Sequence, residues 1–420
     1  MKGSLAVGDK ESGRGVNSCR GCGHEDLVNV LDLGLQPLSN GLIKIESELS
    51  ATLYPLHLRV CKSCWLGQLG EFATPTEIFE DYRYLSSVSQ TWISHARLYA
   101  QQCVIKLDLT PSDLIIEIAS NDGYLLKEFK NLGIRVLGVE PAHNVAEIAQ
   151  AQGIDTISEF MGQQVGKQIA AQYGKASLVP ANNVLAHVPN MHDFLLGIRE
   201  LMSDETLLSV ENPSMMSMLD NVQFDTIYHE HFSYLTATSV NKAVKEVELE
   251  LIDVEQLSTH GGSNRYWIAK AGVREVQPSV HNTLASEQES GIDNLETYKK
   301  FQRRSEDAIA GFKDFLVQCA ANGQTVLGYG AAAKAVVLLN AADVSTDLLP
   351  AVADAGSEKQ GYRIPGVDIP IIAPESMIDF APDVVVVFPW NIAGELKSVI
   401  QSLLGTQVQI VIAIPEIQTL

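Results

Sequence analysis

Two short clusters hold the chemistry-bearing side chains of this chain. Asp225-Thr-Ile-Tyr-His-Glu-His-Phe-Ser-Tyr234 packs two Tyr, two His and a Glu into ten residues. His229 and His231, alternating across Glu230, can ligate a metal. Alternatively, one imidazole acts as a general base near neutral pH, with the carboxylate and the phenols orienting it. Upstream, Cys19-Arg-Gly-Cys22 and Cys61-Lys-Ser-Cys64 form two close pairs. A Cys-x-x-Cys turn aims two sulfurs at one point, and two such turns make a closed site of four sulfurs that suits structural zinc. Disulfides are the competing reading, but a reducing cytoplasm favours the metal.

The elements that position these groups read as two βαβ series. Leu114 to Ala119 is a buried strand, Ser120-Asn121-Asp122-Gly123 turns the chain, and Leu125, Leu126 and Phe129 recur at helical spacing. A second strand, Arg135 to Val139, ends in Glu140, an acid placed to accept the two hydroxyls of a ribose. Ala119 and Asn121 stand where a dinucleotide fingerprint wants Gly, so a nucleoside ligand without phosphates, S-adenosylmethionine above all, fits this loop better. Further strands run Ser177 to Ala181 and Thr206 to Val210. Ligands bind beyond the carboxyl ends of such strands, so Asn182, Asn183 and the Tyr228 to Tyr234 cluster share a crevice with Gly123 and Glu140.

The second series begins after a long charged helix, about 294–322. Gly328-x-Gly330-x-x-Ala333 lies between a strand and a helix, and the next strand ends in Asp354. Alone this is a dinucleotide fingerprint, which makes an NAD-dependent nucleotide-sugar oxidoreductase the alternative function. Against it, Lys334 sits in the first helical turn and Lys359 and Arg363 follow Asp354; a glycine turn, a helix N-terminus and these cations can equally hold the diphosphate of a nucleotide sugar. Before that helix, His260-Gly-Gly-Ser-Asn-Arg265 offers a tight turn and an Arg for a phosphate, or simply a solvated turn.

Composition narrows the partners. Lys and Arg total 30 against 51 Asp and Glu, a net charge of −21, so the overall field repels nucleic acid. No apolar run approaches the roughly 20 residues of a membrane span. The Gly- and Ser-rich start lacks the apolar core of a secretory signal, and the expected location is the cytoplasm. The expected partner is a small molecule, with the chain a monomer or small homo-oligomer.

In order, Cys19/Cys22 with Cys61/Cys64, Asp81-Tyr-Arg-Tyr-Leu-Ser-Ser87, Glu117-Ile-Ala-Ser-Asn-Asp-Gly123, Gly138-Val-Glu-Pro-Ala142, Asn182-Asn-Val-Leu-Ala-His187, Tyr228-His-Glu-His-Phe-Ser-Tyr234, His260-Gly-Gly-Ser263, Gly328-Tyr-Gly-Ala-Ala-Ala-Lys334, Lys359-Gln-Gly361, Pro365-Gly366 and Trp390-Asn391 resemble the sugar C-methyltransferases acting on nucleotide-linked ketosugars. The resemblance implies an α/β chain with a flexible tail (1–18), a zinc-binding module (19–78), a class I methyltransferase, Rossmann-like domain (79–293) and a C-terminal Rossmann-like domain (294–420) that helps hold the nucleotide sugar. It implies that His231 removes the proton beside the ketone, usually at C3 of a 4-keto sugar, with Tyr228, Glu230, Tyr82 and Asn183 around it. S-adenosylmethionine is expected on Glu117, Ala119, Ser120, Asn121, Asp122, Gly123, Tyr124, Leu125, Glu140, Pro141 and Asn182. The substrate is expected on His260, Ser263, Arg265, Gly330, Lys334, Asp354, Lys359, Trp390 and Asn391. Ala119, Tyr124 and Asn264 depart from the residues usual in that family.

Overall fold

The computed structural model describes residues 17–70, 85–88 and 90–420. Tyr82, expected at the active site, lies outside these residues.

The seven-stranded central sheet runs in the order Leu249–Leu257, Ser263–Lys270, Met202–Pro213, Ala176–Asn182, Leu114–Ile118, Arg135–Val139, Thr156–Ile157. Leu114–Ile118 is buried at every position, as a strand covered by helices on both faces must be. The chain reverses direction across the sheet between Leu114–Ile118 and Ala176–Asn182, which opens a crevice at their carboxyl ends. Ser263–Lys270 is antiparallel to both neighbours and closes that half of the sheet. The fold is therefore the expected Rossmann-like one, with the brief strand Thr156–Ile157 and a longer Met202–Pro213 than the apolar run suggests.

A helix capped by Asn294, Leu295–Ala321, leads to the C-terminal sheet. Its order is Ile371–Ile372, Val352–Ala353, Val326–Tyr329, Val384–Val387, Gln409–Ile412, Gln418–Thr419, parallel but for the last strand. This too is Rossmann-like.

The N-terminal module does not stand alone. Leu27–Pro37 pairs with Leu53–Cys61, which pairs with Gly67–Gln68, and the fourth strand of that sheet is Ser233–Tyr234 from the central domain. Ile43–Lys44 pairs with Tyr362–Arg363 of the C-terminal domain. Leu58, Phe224, Ile227, Phe312 and Val386 belong to one buried cluster, so all three parts of the chain share a core.

Candidate active site

The first crevice loop carries Ala119, Asn121 and Gly123 at φ of 55°, 50° and 80°. Left-handed backbone at alternate positions turns the peptide planes and exposes successive N–H groups. Gly123 is held free of a side chain by Ile154, which an added Cβ would meet at 3.1 Å. Glu140 accepts from the N–H of Asn121 and of Ala142, both at 2.9 Å. Each carboxylate oxygen retains a lone pair for a ligand. Burial pushes the Glu140 carboxyl above its ordinary range. Glu117 is buried and raised further, by desolvation and then by Glu140 and Asp122. The backbone N–H groups of Ser86 and Ser87 dock on the side chains of Asn121 (2.9 Å) and Asp122 (3.3 Å).

A cavity of about 720 Å³ runs from this loop across the molecule. Ala119, Asn121, Tyr124, Glu140, Pro141, Asn182, Asn183, Tyr228, Glu230, His231, His260, Lys334, Lys359 and Asn391 line it. Glu117, Ser120, Asp122, Gly123 and Leu125 lie behind the lining, and the Leu125 side chain turns into the core beside Phe129.

His231 sits mid-cavity. Its Nδ1–H donates to the Thr226 carbonyl at 3.1 Å, which leaves the Nε2 lone pair as the exposed function of the ring. Burial and then His187 drive its pKa well below the ordinary value, with Lys334 and His260 adding to the push. Tyr228 lies against the ring at 4.0 Å between centroids, and His187 meets it edge-on at 4.7 Å. His187 Nδ1–H donates to the Glu230 carbonyl at 2.7 Å, and burial lowers its pKa to about 4. The Glu230 carboxylate accepts twice from Asn40, from its backbone N–H (3.1 Å) and its amide (3.3 Å). His229 points away, Nε2–H to the Pro55 carbonyl at 3.2 Å and its ring against Tyr54.

The C-terminal domain closes the far wall. Helix Ala333–Ala341 presents its start, with Ala332, Ala333 and Lys334, to the cavity. Lys334 donates to Asn391 (3.2 Å) and lies over the Trp390 ring (5.0 Å to centroid). Trp390 in turn donates to the fully buried Asp225 at 2.8 Å. Burial raises Asp225 to about 6 even though Lys334 and Trp390 oppose it.

Four residues expected to bind substrate serve the fold instead and lie outside the cavity lining. Arg265 does not face a phosphate: its guanidinium, 4% exposed, binds Glu211 at 2.7 Å and Glu255 at 3.0 Å. Ser263 donates to the Thr259 carbonyl at 2.9 Å and closes its own turn. Asp354 serves the loop as well, accepting from the Ala331 and Gly356 N–H groups and pairing with Lys359 at 3.3 Å. Gly330 is small because Pro389 lies over it.

Sequence reading missed Asn40, His187 as a neighbour of His231, Asp225, and Trp92, which stacks on His95 (4.9 Å) and lines the cavity beside Tyr124. It also missed Phe160, an apolar ring 46% exposed that lines the cavity.

The four cysteines converge outside the lining of this cavity. Their Sγ atoms lie within 4.8 Å of one another, with Cys19 to Cys64 at 3.4 Å and Cys22 to Cys61 at 3.7 Å. Those separations exclude disulfides and approach the edges of about 3.8 Å of a tetrahedron with 2.3 Å zinc–sulfur bonds. Four sulfurs fill the coordination of one ion, so the metal is structural.

Three family models match in succession: a zinc binding domain over residues 19–79, a methyltransferase domain over 97–254 and a C-methyltransferase C-terminal domain over 258–415. The C-methyltransferase NovU of Streptomyces niveus is 36% identical over 405 residues, covering 96% of either chain. The chain belongs to this C-methyltransferase family. Solved structures are much more distant. Magnesium protoporphyrin IX methyltransferase of Synechocystis PCC 6803 is 14% identical and covers 47% of this chain and 89% of its own, at a TM-score of 0.33. A methyltransferase of Clostridium acetobutylicum ATCC 824 is 10% identical over 47% and 96%, at 0.34. That likeness carries no argument, and the fold rests on strand order. The C-methyltransferase uses S-adenosylmethionine as methyl donor and holds structural zinc. The oxidoreductase alternative falls, since the family and the packing of Phe388 and Pro389 onto Gly328 and Gly330 explain those glycines without NAD.

Proposed function

We propose that this C-methyltransferase methylates the carbon beside the ketone of a nucleotide-linked 4-keto-deoxyhexose, at C3, with His231 as the base. One observation carries the reading: a single cavity joins the Asn121–Glu140 loop, the Nε2 lone pair of His231, and the cation-bearing helix start at Lys334. The cofactor would lie along Ala119 to Tyr124, Glu140, Pro141 and Asn182. When bound, it supplies an electrophilic methyl group on a sulfonium. The free N–H groups of helix Ala333–Ala341, with Lys334, Lys359 and Asn391, suit a diphosphate.

His231 Nε2 takes the proton from the carbon; the electron pair of that C–H bond becomes the carbon–carbon double bond as the carbonyl π pair moves onto the ketone oxygen. The enolate carbon would then form the new bond to the methyl carbon as the methyl–sulfur bond breaks, its electron pair leaving on the neutral thioether while the ketone re-forms. Burial and its neighbours keep His231 unprotonated across neutral pH, and the same neighbours disfavour its imidazolium. Negative charge from the diphosphate beside Lys334 and from the enolate offsets that penalty, so the base gains strength once substrate is in place. Tyr228 holds the ring by stacking, and Asn40 holds Glu230 beside it. Asn183 helps orient the ketone.

The test is a panel of nucleotide 4-ketosugars with S-adenosylmethionine, read by mass spectrometry for the gain of one methyl. His231→Ala should abolish both methylation and solvent exchange of the acidic proton while S-adenosylhomocysteine still binds. Exchange at the wild-type rate in that variant would move the base elsewhere.

A further inference from the structure

We infer that the carboxamide of Asn212 is the hydrogen-bond donor that receives the ketone oxygen as negative charge develops on it. This deepens the proposed function and rests on proton abstraction by His231. The developing enolate needs a donor, and before proton transfer neither neutral imidazole beside it turns one toward the oxygen. Nδ1–H of His231 is committed to Thr226 and Nδ1–H of His187 to the Glu230 carbonyl, so each neutral ring is left with an accepting Nε2.

Asn212 sits at the carboxyl end of Met202–Pro213, where side chains alternate between faces. Glu211 points to His95 and Arg265 on one face. Asn212 therefore points to the other, and the turn Leu185–His187, which carries the neighbour of His231, lies against the same strand. The side chain is 1% exposed and lines the cavity, and neither its Nδ2 nor its Oδ1 has a partner among the described residues. Sealing an amide from water with neither group bonded costs on the order of 1–3 kcal/mol per group, so the placement is costly unless a ligand completes it. Asn183 flanks it: the Asn183 N–H donates to the Glu211 carbonyl at 2.6 Å. A carboxamide donates N–H to the ketone oxygen and retains a carbonyl to accept a sugar hydroxyl. Being neutral, it leaves the base undisturbed and gains strength only as the oxygen becomes an enolate.

The experiment uses the full, zinc-loaded chain and a nucleotide 4-ketosugar that the wild type methylates. Exchange of the acidic proton with deuterated solvent is followed in the presence of S-adenosylhomocysteine, alongside kcat, KM and the Kd of that nucleoside. Asn212→Ala should lower exchange and kcat by about 100-fold or more, the usual loss of an oxyanion donor. KM and the nucleoside Kd should stay within a few-fold. Asn212→Asp, which sets a negative charge opposite the oxygen, should fall lower still, and Asn212→Ser should recover part of the loss. Wild-type kcat in Asn212→Ala, or a loss confined to nucleoside affinity, overturns the inference. If Asn212→Ala does not fold, Asn212→Ser carries the test, and failure of both to fold assigns the side chain to structure and also overturns it. A wild type that neither exchanges nor methylates any ketosugar sinks the proposed function and this inference with it. An active wild type beside an equally active Asn212→Ala sinks the inference alone.

Discussion

Arg265 and Glu211 face each other across paired strands, and both are shut away from water. Burial alone would raise the Glu211 carboxyl, but His95 and Arg265 more than offset it and hold it low. Removing one partner leaves a buried charge uncompensated, which costs about 3–5 kcal/mol. Arg265→Met should therefore lower stability by that order in urea unfolding, where a phosphate-binding Arg would change KM with little change in stability. His229 makes a second case. Burial lowers its pKa to about 4 in the folded chain, against about 6.5 unfolded. Between those values the unfolded state binds more protons, so the stability is present above about pH 6.5 and drains as pH falls toward 4. His229→Gln retains a donor for the Pro55 carbonyl and cannot titrate. Relative to that variant, the wild type should lose about 1.4 kcal/mol between pH 7.5 and 5.5.

At the scale of elements, the segment bearing His231 is fixed by a strand pairing. Ser233–Tyr234 joins Gly67–Gln68, and a Cβ on Gly67 would lie 3.0 Å from that of Tyr234 and 2.9 Å from the Met215 sulfur. Gly67→Ala should push these strands apart, costing about 1–3 kcal/mol and lowering kcat, while S-adenosylhomocysteine affinity holds because the residues proposed to bind it, Ala119 to Tyr124 and Glu140, lie on other strands. Local features were legible in the sequence: each Cys-x-x-Cys turn, the turn at Ser120 to Gly123, Glu140 at a strand end and the helix start at Lys334 rest on residues close along the chain. Asn40 reaching Glu230 across 190 positions was not legible, nor was Arg265 opposite Glu211, because sheet order and register set those meetings. The glycine fingerprint misled for a related reason. Gly328 is small because Phe388, from another strand end, would lie 2.6 Å from its Cβ, and a packing glycine and a phosphate glycine read alike.

For the whole molecule, the three parts are interlocked through a common core and two shared strand pairings. Arg20 strengthens the lock, donating to the carbonyls of Leu69 (2.7 Å) and Pro189 (2.9 Å) with its guanidinium over Phe232. Stripping the metal with a chelator should loosen the module that supplies Asn40 and the strand Gly67–Gln68. Methyl transfer should then fall at least 10-fold and return on adding zinc, with S-adenosylhomocysteine binding by calorimetry little changed. Equal loss of both would place the zinc module's influence on the cofactor pocket as well.

The strand Ser233–Tyr234 also dictates an order of events during synthesis. Cys64 emerges from the ribosome soon after Cys19, so the four thiolates can gather a metal early. The sheet they anchor stays incomplete at its inner edge until some 165 more residues have been added, and contacts so distant along the chain form slowly. A nascent chain halted before Tyr234 therefore lacks the strand that completes this sheet and leaves an unpaired β edge, the kind of surface on which chaperones and stray strands compete.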